Sequence, residues 1–196
     1  DADWVRVLLE HFAEYYFQAL DAYQQFQGSS PRVWQVAFNA ASQPDLQLVQ
    51  HLLLGVNAHI NYDLVFAVVD LLSPEWYRLT SEERATRYQD YCLVNEIIHR
   101  TIDAVQDDIL ERNNVILRLL DTAMVKVDEW MIGQLVDNWR DRVWAQAIEL
   151  IDCKDEKTFT GLQNKVEARA LRLANWIMGQ PLLNRKDGFG RFVLSE

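Results

Sequence analysis

One apolar segment, residues 46–72, constrains the fold more than any other part of the chain. It lies between the helix-breaking sequences Gln43-Pro44-Asp45 and Ser73-Pro74. When it is drawn as a helix at 100° per residue, apolar side chains fall on most of its sides. Because a helix that is apolar all round must be buried, we expect residues 46–72 to form a central helix with Asp45 as its N-cap.

The remaining sequence has the same helical periodicity and few residues that break helices. There are only 7 Gly and 4 Pro in 196 residues, which favours a few long elements. Besides the central helix, helices are predicted over residues 1–27, 31–41, 82–111, 115–124, 129–151 and 158–178. Thr80 and Glu83 form a capping-box pattern at the start of the segment 82–111. The predicted fold class is therefore all-α, a single globular bundle of about six or seven helices in one domain (residues 1–179) with a short C-terminal tail (residues 180–196).

Net charge, the length of the apolar runs and the cysteine content limit which partners and which compartment the sequence predicts. The formal net charge of -10 repels phosphate backbones, so no nucleic acid partner is expected, whereas a small molecule remains open. No uninterrupted apolar run reaches the length of a membrane span, because His59 and Asp63 break the longest one. Cys92 and Cys153 lie far apart and form no C-x-x-C motif, which indicates a reducing compartment and hence the cytoplasm. The oligomeric state is left open.

Polar residues occur inside the apolar central segment and need a reason for burial. His59 and Asp63 are four residues apart, so they stack on one face of a helix, and Asp70 continues the same stripe. Asn57 and Asn61 point to the other side, where we expect helix-to-helix hydrogen bonds. The segment therefore predicts two separate polar faces, one of which contains a histidine and a carboxylate.

Two other helices supply candidate partners for this face. Asp90 lies near the inner stripe of residues 82–111, and His11 lies on the apolar stripe of the first helix. We expect a pocket between the central helix and residues 82–111. Its predicted chemical groups, also the hypothetical metal ligands, are His59, Asp63 and Asp90, and its supporting polar residues are Asn95, Asp70, His11 and Asn57.

Three interpretations of this pocket are open. His59 and Asp63 could hold one divalent metal ion such as zinc, which would activate water in a hydrolase. Alternatively, Asp63 could orient the imidazole so that it acts as a general base in another small-molecule enzyme. The third interpretation is a non-catalytic binding or interaction protein, in which the buried pair only fixes helix register. In that case Arg140 or Arg142 could pair with Asp63, Asp70 or Asp90.

Three motifs resemble those of a known family. The segments N-A-H-I-N-Y-D-L, D-x-x-x-x-N (Asp90 and Asn95) and R-V-W-A-Q-A are similar to elements of an uncharacterised family of bacterial all-helical proteins. The spacing His59-x-x-x-Asp63 also resembles the H-x-x-x-D pair of zinc-dependent phospholipase C and P1-type nucleases, which implies a helical fold and zinc chemistry. Those enzymes use several more histidines than the four present here, so the resemblance implies at most one metal ion.

Overall fold

The computed structural model describes residues 1–95 and 129–179, and within these ranges it contains helices and no strand. The all-α prediction is therefore confirmed. The helices, in chain order, are α1 (Ala2–Gln25), α2 (Arg32–Ala40), α3 (Leu48–Ala58), α4 (Leu64–Leu72), α5 (81–95), α6 (Glu129–Asp152) and α7 (Glu156–Gly179). A π-helical segment (His59–Asp63) joins α3 to α4, and short 3₁₀ turns occur at Gln27–Ser29 and Trp76–Arg78.

Helix α3, the π-helical segment and α4 form one continuous central helix, as the sequence predicts. Helix α4 is buried on nearly all sides: Leu64, Val65, Val68 and Leu72 are at most 1% exposed. Burying a Leu or Val side chain completely contributes about 1.5–3 kcal/mol, so this helix is a principal source of the core. Side chains from α1, α5, α6 and α7 complete the main cluster around it.

The same central helix is long and apolar enough to cross a membrane by length and composition alone. The stretch Gln50–Leu72 has a mean hydropathy of 1.5 over its most apolar window, and 61% of that window is buried inside the protein. Core helices of globular domains have the same composition, because they too are surrounded by apolar side chains.

Hydrogen bonding explains where several helices begin. Thr80 and Glu83 form the predicted capping box, with Glu83 Oε2 accepting from Thr80 N at 2.8 Å and Thr80 Oγ1 accepting from Glu83 N at 3.2 Å. The prediction of Asp45 as the cap of the central helix was wrong. Gln47 occupies the N-cap position instead, where its backbone N–H donates to Gln50 Oε1 at 2.9 Å, because the chain turns for two further residues after Asp45.

Several predicted elements lie outside the described residues. These are the second half of the 82–111 helix, the 115–124 helix and the 180–196 tail.

Candidate functional site

The π-helical segment places a histidine beside a buried carboxylate. Its defining bond runs from Leu64 N to His59 O, five residues back instead of four. Within this widened turn His59 Nδ1 lies 3.0 Å from Asp63 Oδ2. The Asp63 side chain is 1% exposed and the His59 side chain is 29% exposed. Single π-helical turns often occur at functional sites, and here the turn carries the predicted His/Asp pair.

Trp34 of α2 completes the hydrogen bonding of the carboxylate. Its indole Nε1 donates to Asp63 Oδ2 at 2.9 Å and lies 3.1 Å from Asp63 Oδ1. The indole is itself buried, at 4% exposure. Asp63 therefore has a donor from α2 and a partner on its own helix. His59 has Nδ1 engaged, and within the described residues no hydrogen bond involves its Nε2.

Aromatic rings surround the imidazole. The ring of Phe12, from α1, stacks on His59 with centroids 3.5 Å apart and planes inclined by 10°. Tyr16 and Trp34 approach the imidazole with centroid distances of 6.1 Å. These contacts fix the plane of the ring. Phe12 covers one face and Asp63 takes Nδ1, so these two contacts leave the Nε2 edge free on a side chain that is 29% exposed.

Burial controls the acidity of the carboxylate. Removal from water raises the pKa of Asp63 above its ordinary value, and the hydrogen bonds from His59 and Trp34 act in the opposite direction. Burial, together with a hydrogen bond to Asp70, raises the pKa of Tyr15, which stays a protonated hydrogen-bond donor. The site therefore combines one buried carboxyl group, one accessible imidazole and one neutral phenol.

The two asparagines form a separate structural link, as their predicted orientation indicated. Asn57 Nδ2 donates to Ala170 O of α7 at 2.9 Å, and Asn57 Oδ1 accepts from Asn61 Nδ2 at 3.2 Å. Asn57 is completely buried. Its bonds join the central helix to α7, so Asn57 supports the fold at this level and does not face the imidazole edge.

Asp90 does not join the His59–Asp63 pair. Its carboxylate contacts the backbone nitrogen of Asp1 and lies 3.5 Å from Arg87. Asp1 and Phe12, which stacks on His59, are eleven residues apart along one helix, or about 16 Å. The predicted pocket containing both His59 and Asp90 is therefore a wrong expectation, because the two groups contact α1 at levels too far apart to share a ligand.

Asn95 also lies away from the pair and contacts a buried arginine. Its Oδ1 accepts a hydrogen bond from Arg140 Nε, while Arg140 Nη2 donates to Tyr91 O at 2.8 Å. The guanidinium lies 4.2 Å from the centre of the Tyr91 ring. The suggested pairing of Arg140 with Asp63, Asp70 or Asp90 is therefore not found, since this side chain joins α5 to α6.

The last two predicted supporting residues lie at the edge of the site. His11 is exposed, so its expected place beside His59 was wrong. Phe12 takes that place because α1 packs one residue further round its axis. Asp70 is exposed and accepts a hydrogen bond from Tyr15 at 2.7 Å. It lies seven residues, or about two turns, beyond Asp63 on the central helix.

The donor set does not fit a metal ion chelated by His59 and Asp63. Both Asp63 oxygens are occupied by Trp34, and one of them also by the imidazole nitrogen that faces it. Asp90 is remote, and the described residues contain no group of three His, Cys, Asp or Glu side chains placed to hold a metal ion. The geometry instead resembles a carboxylate orienting an imidazole, with Nε2 left for other chemistry.

Sequence reasoning missed the residues that α1 and α2 contribute, namely Phe12, Tyr16 and Trp34. For Trp34 the sequence does contain a signal, because Trp34 and Phe38 recur at a spacing of four and so form an apolar face on a short helix. What the sequence did not show is which helix faces His59. That choice depends on how the helices pack, and a single sequence does not contain it.

The fold and the site together define an all-α protein with a buried carboxylate–histidine pair on a central helix. A family model described as a family of unknown function (DUF5995) matches residues 1–180, and the chain belongs to this family. No curated protein and no solved structure matches the chain. The predicted membership of an uncharacterised helical family is thus confirmed, whereas nothing supports the likeness to phospholipase C and P1-type nucleases.

Proposed function

We propose that this protein is a small-molecule hydrolase in which His59 is the general base. The observation that carries the proposal is the 3.0 Å contact between His59 Nδ1 and buried Asp63, which leaves Nε2 on a partly exposed ring. An imidazole titrates near neutral pH, so it can accept and return protons under physiological conditions. A carboxylate bound to one ring nitrogen leaves the other as the basic atom.

The proposed chemistry needs only groups of the chain. Neutral His59 takes a proton from a water molecule at Nε2 while the water attacks the electrophilic carbon of the substrate. The resulting imidazolium keeps its Nδ1–H directed at Asp63, whose negative charge stabilises it. The proton then passes from Nε2 to the leaving group, which restores the neutral ring. Trp34 and Phe12 hold the two partners in position throughout.

Hydrolysis of an activated neutral ester, p-nitrophenyl acetate, tests the proposal. We expect His59→Gln to lower the protein-dependent rate about 10²-fold, the lower end of the usual contribution of a general base. His11→Gln is the matched control, because His11 is an exposed histidine on α1 and measures the background of an unassisted imidazole. A folded His59→Gln protein that keeps the wild-type rate would contradict the proposal.

The alternative function is a non-catalytic binding or interaction protein with a structural His/Asp network. It is favoured by one observation: Trp34 and Asp63 tie α2 to the central helix through a fully buried bond. Under this alternative, His59→Gln lowers the free energy of unfolding but changes no rate beyond the His11→Gln background. The ester assay and an unfolding curve on the same two variants therefore separate the two functions.

A further inference from the structure

We propose that the exposed edge of His59 binds a cationic ligand with an apolar body, such as an aromatic ammonium compound. The proposal depends on the proposed function at one point, which is the identification of this ligand with the substrate. The charges and rings around the imidazole support the binding site itself.

The three helices whose side chains contact His59, namely α1, α2 and the central helix, carry an excess of negative charge. Helices α1 and α2 and the central helix (48–72) contain two arginines, Arg6 and Arg32, and no lysine. The Arg6 side chain pairs with Glu10 at 2.5 Å. Arg32 is exposed and lies about 200° around α2 from Trp34, so it points away from the site. The carboxylates on the same helices are Asp3, Glu10, Glu14, Asp21, Asp63 and Asp70.

The two carboxylates of the central helix have no cationic side chain to neutralise them except His59 itself. Asp63 bonds to the indole of Trp34 and to the imidazole, and Asp70 accepts from the neutral hydroxyl of Tyr15. Within the described residues no lysine or arginine forms an ion pair with either of them. When His59 is the neutral base, this part of the surface keeps its negative charge. An anionic ligand would be repelled here, and a cation would be attracted.

The phenols nearby respond to the same field. Negative charges at Asp70 and Asp63 add to burial in raising the pKa of Tyr15. Those at Glu167 and Asp63 add to burial in raising the pKa of Tyr62. The charges that act on these phenols therefore belong to the central helix and, for Tyr62, also to Glu167 of α7.

Aromatic rings at the imidazole provide the second half of the recognition. Phe12 and Tyr16 are partly exposed and flank the half-exposed His59. Aromatic faces attract cations, with Tyr, Trp and Phe all contributing, and they also accommodate an apolar body. Rings combined with uncompensated carboxylates favour an organic ammonium group over a phosphate or carboxylate. This choice deepens the proposed function, because it predicts a substrate with a positive charge near the bond that is hydrolysed.

Protection of His59 from diethyl pyrocarbonate tests the ligand class. The probes are benzyltrimethylammonium, benzyl alcohol and benzoate, which share a phenyl ring and differ in charge, and mass spectrometry follows carbethoxylation of the peptide containing His59. We expect protection to decrease from the cation to the alcohol to the anion, and the advantage of the cation to shrink in 0.5 M salt because surface charges are screened. Phe12→Leu should weaken the protection by the cation roughly threefold to fivefold. The matched control, Phe26→Leu, changes an exposed ring at the C-terminal end of α1 and should leave it unchanged.

Benzoate protecting as well as the cation, or no probe protecting at all, would overturn the ligand class. That failure is distinct from failure of the proposed function. If His59→Gln abolishes ester hydrolysis but protection shows no charge preference, His59 is catalytic and the ligand class is wrong. If the cation protects His59 while His59→Gln keeps the wild-type hydrolysis rate, the binding site stands and the hydrolase proposal fails.

Discussion

Replacement of Trp34 by phenylalanine tests how firmly the carboxylate is held. The change keeps an aromatic ring in the buried site and removes the indole N–H, the only described donor from another helix to Asp63. A hydrogen bond to a charged group contributes about 1.5–3 kcal/mol, and the smaller ring adds a packing loss. We expect the free energy of unfolding, measured with urea, to fall by at least about 2 kcal/mol.

Trp76→Phe is the matched control for that measurement. Trp76 is also buried, at 6% exposure, and its Nε1 donates to Asp152, an exposed carboxylate, at 3.2 Å. The two variants share the change in ring size and differ in the burial of the carboxylate that loses its donor. Trp34→Phe should therefore cost about 1–2 kcal/mol more, because water can replace the lost donor at Asp152 and not at Asp63. Equal losses in the two variants would show that burial of the carboxylate does not set the cost of losing its donor.

Three further predictions concern the same fold. Burial raises the pKa of Asp63 above 3.8, so folding favours the protonated carboxyl group. The contribution of this group to the free energy of unfolding is therefore complete below pH 3.8, and it is lost as the pH rises through the pKa of the folded state. The difference in free energy of unfolding between wild type and Asp63→Asn should therefore decrease as the pH rises. A difference that does not change with pH would show that burial does not raise the pKa of Asp63. Asn57→Leu should cost about 2–4 kcal/mol in urea unfolding, since it removes the side-chain donor to Ala170 O and leaves the buried Asn61 Nδ2 without its acceptor; an unchanged midpoint would argue against these bonds. Thr80→Ala should cost about 1 kcal/mol and speed amide exchange at Glu83, whose N–H loses its acceptor; unchanged exchange would show that the capping box is not formed.

The helices were predictable because their signals are local. Apolar periodicity gave the central helix, and the Thr80 and Glu83 pair gave the start of α5, since both depend only on neighbours in sequence. The spacing of His59 and Asp63 was local too, and their contact follows from it. The π-helical turn that carries them is a small change in backbone bonding, and apolar periodicity does not reveal it.

The rest of the site depends on which helices meet, and the sequence did not contain that information. Asp90 was placed with His59 because both lie on inward-facing stripes, but inward-facing stripes at different levels of a bundle do not meet. His11 and Phe12 are adjacent in sequence, and a small rotation of α1 decides that Phe12 faces the imidazole. The partner from α2, Trp34, was overlooked for the same reason.

The position of the proton on His59 decides whether the ring carries a basic Nε2. Side-chain ¹⁵N NMR, with His59→Gln used for assignment, distinguishes the two ring nitrogens at a pH where the imidazole is neutral. In wild type we predict a proton on Nδ1, directed at ionised Asp63, and an unprotonated Nε2 that can accept a proton. In Asp63→Asn the proton should move to Nε2, because the new amide can donate to Nδ1. A wild-type proton on Nε2 would contradict the account, since His59 would then have no basic atom at its exposed edge.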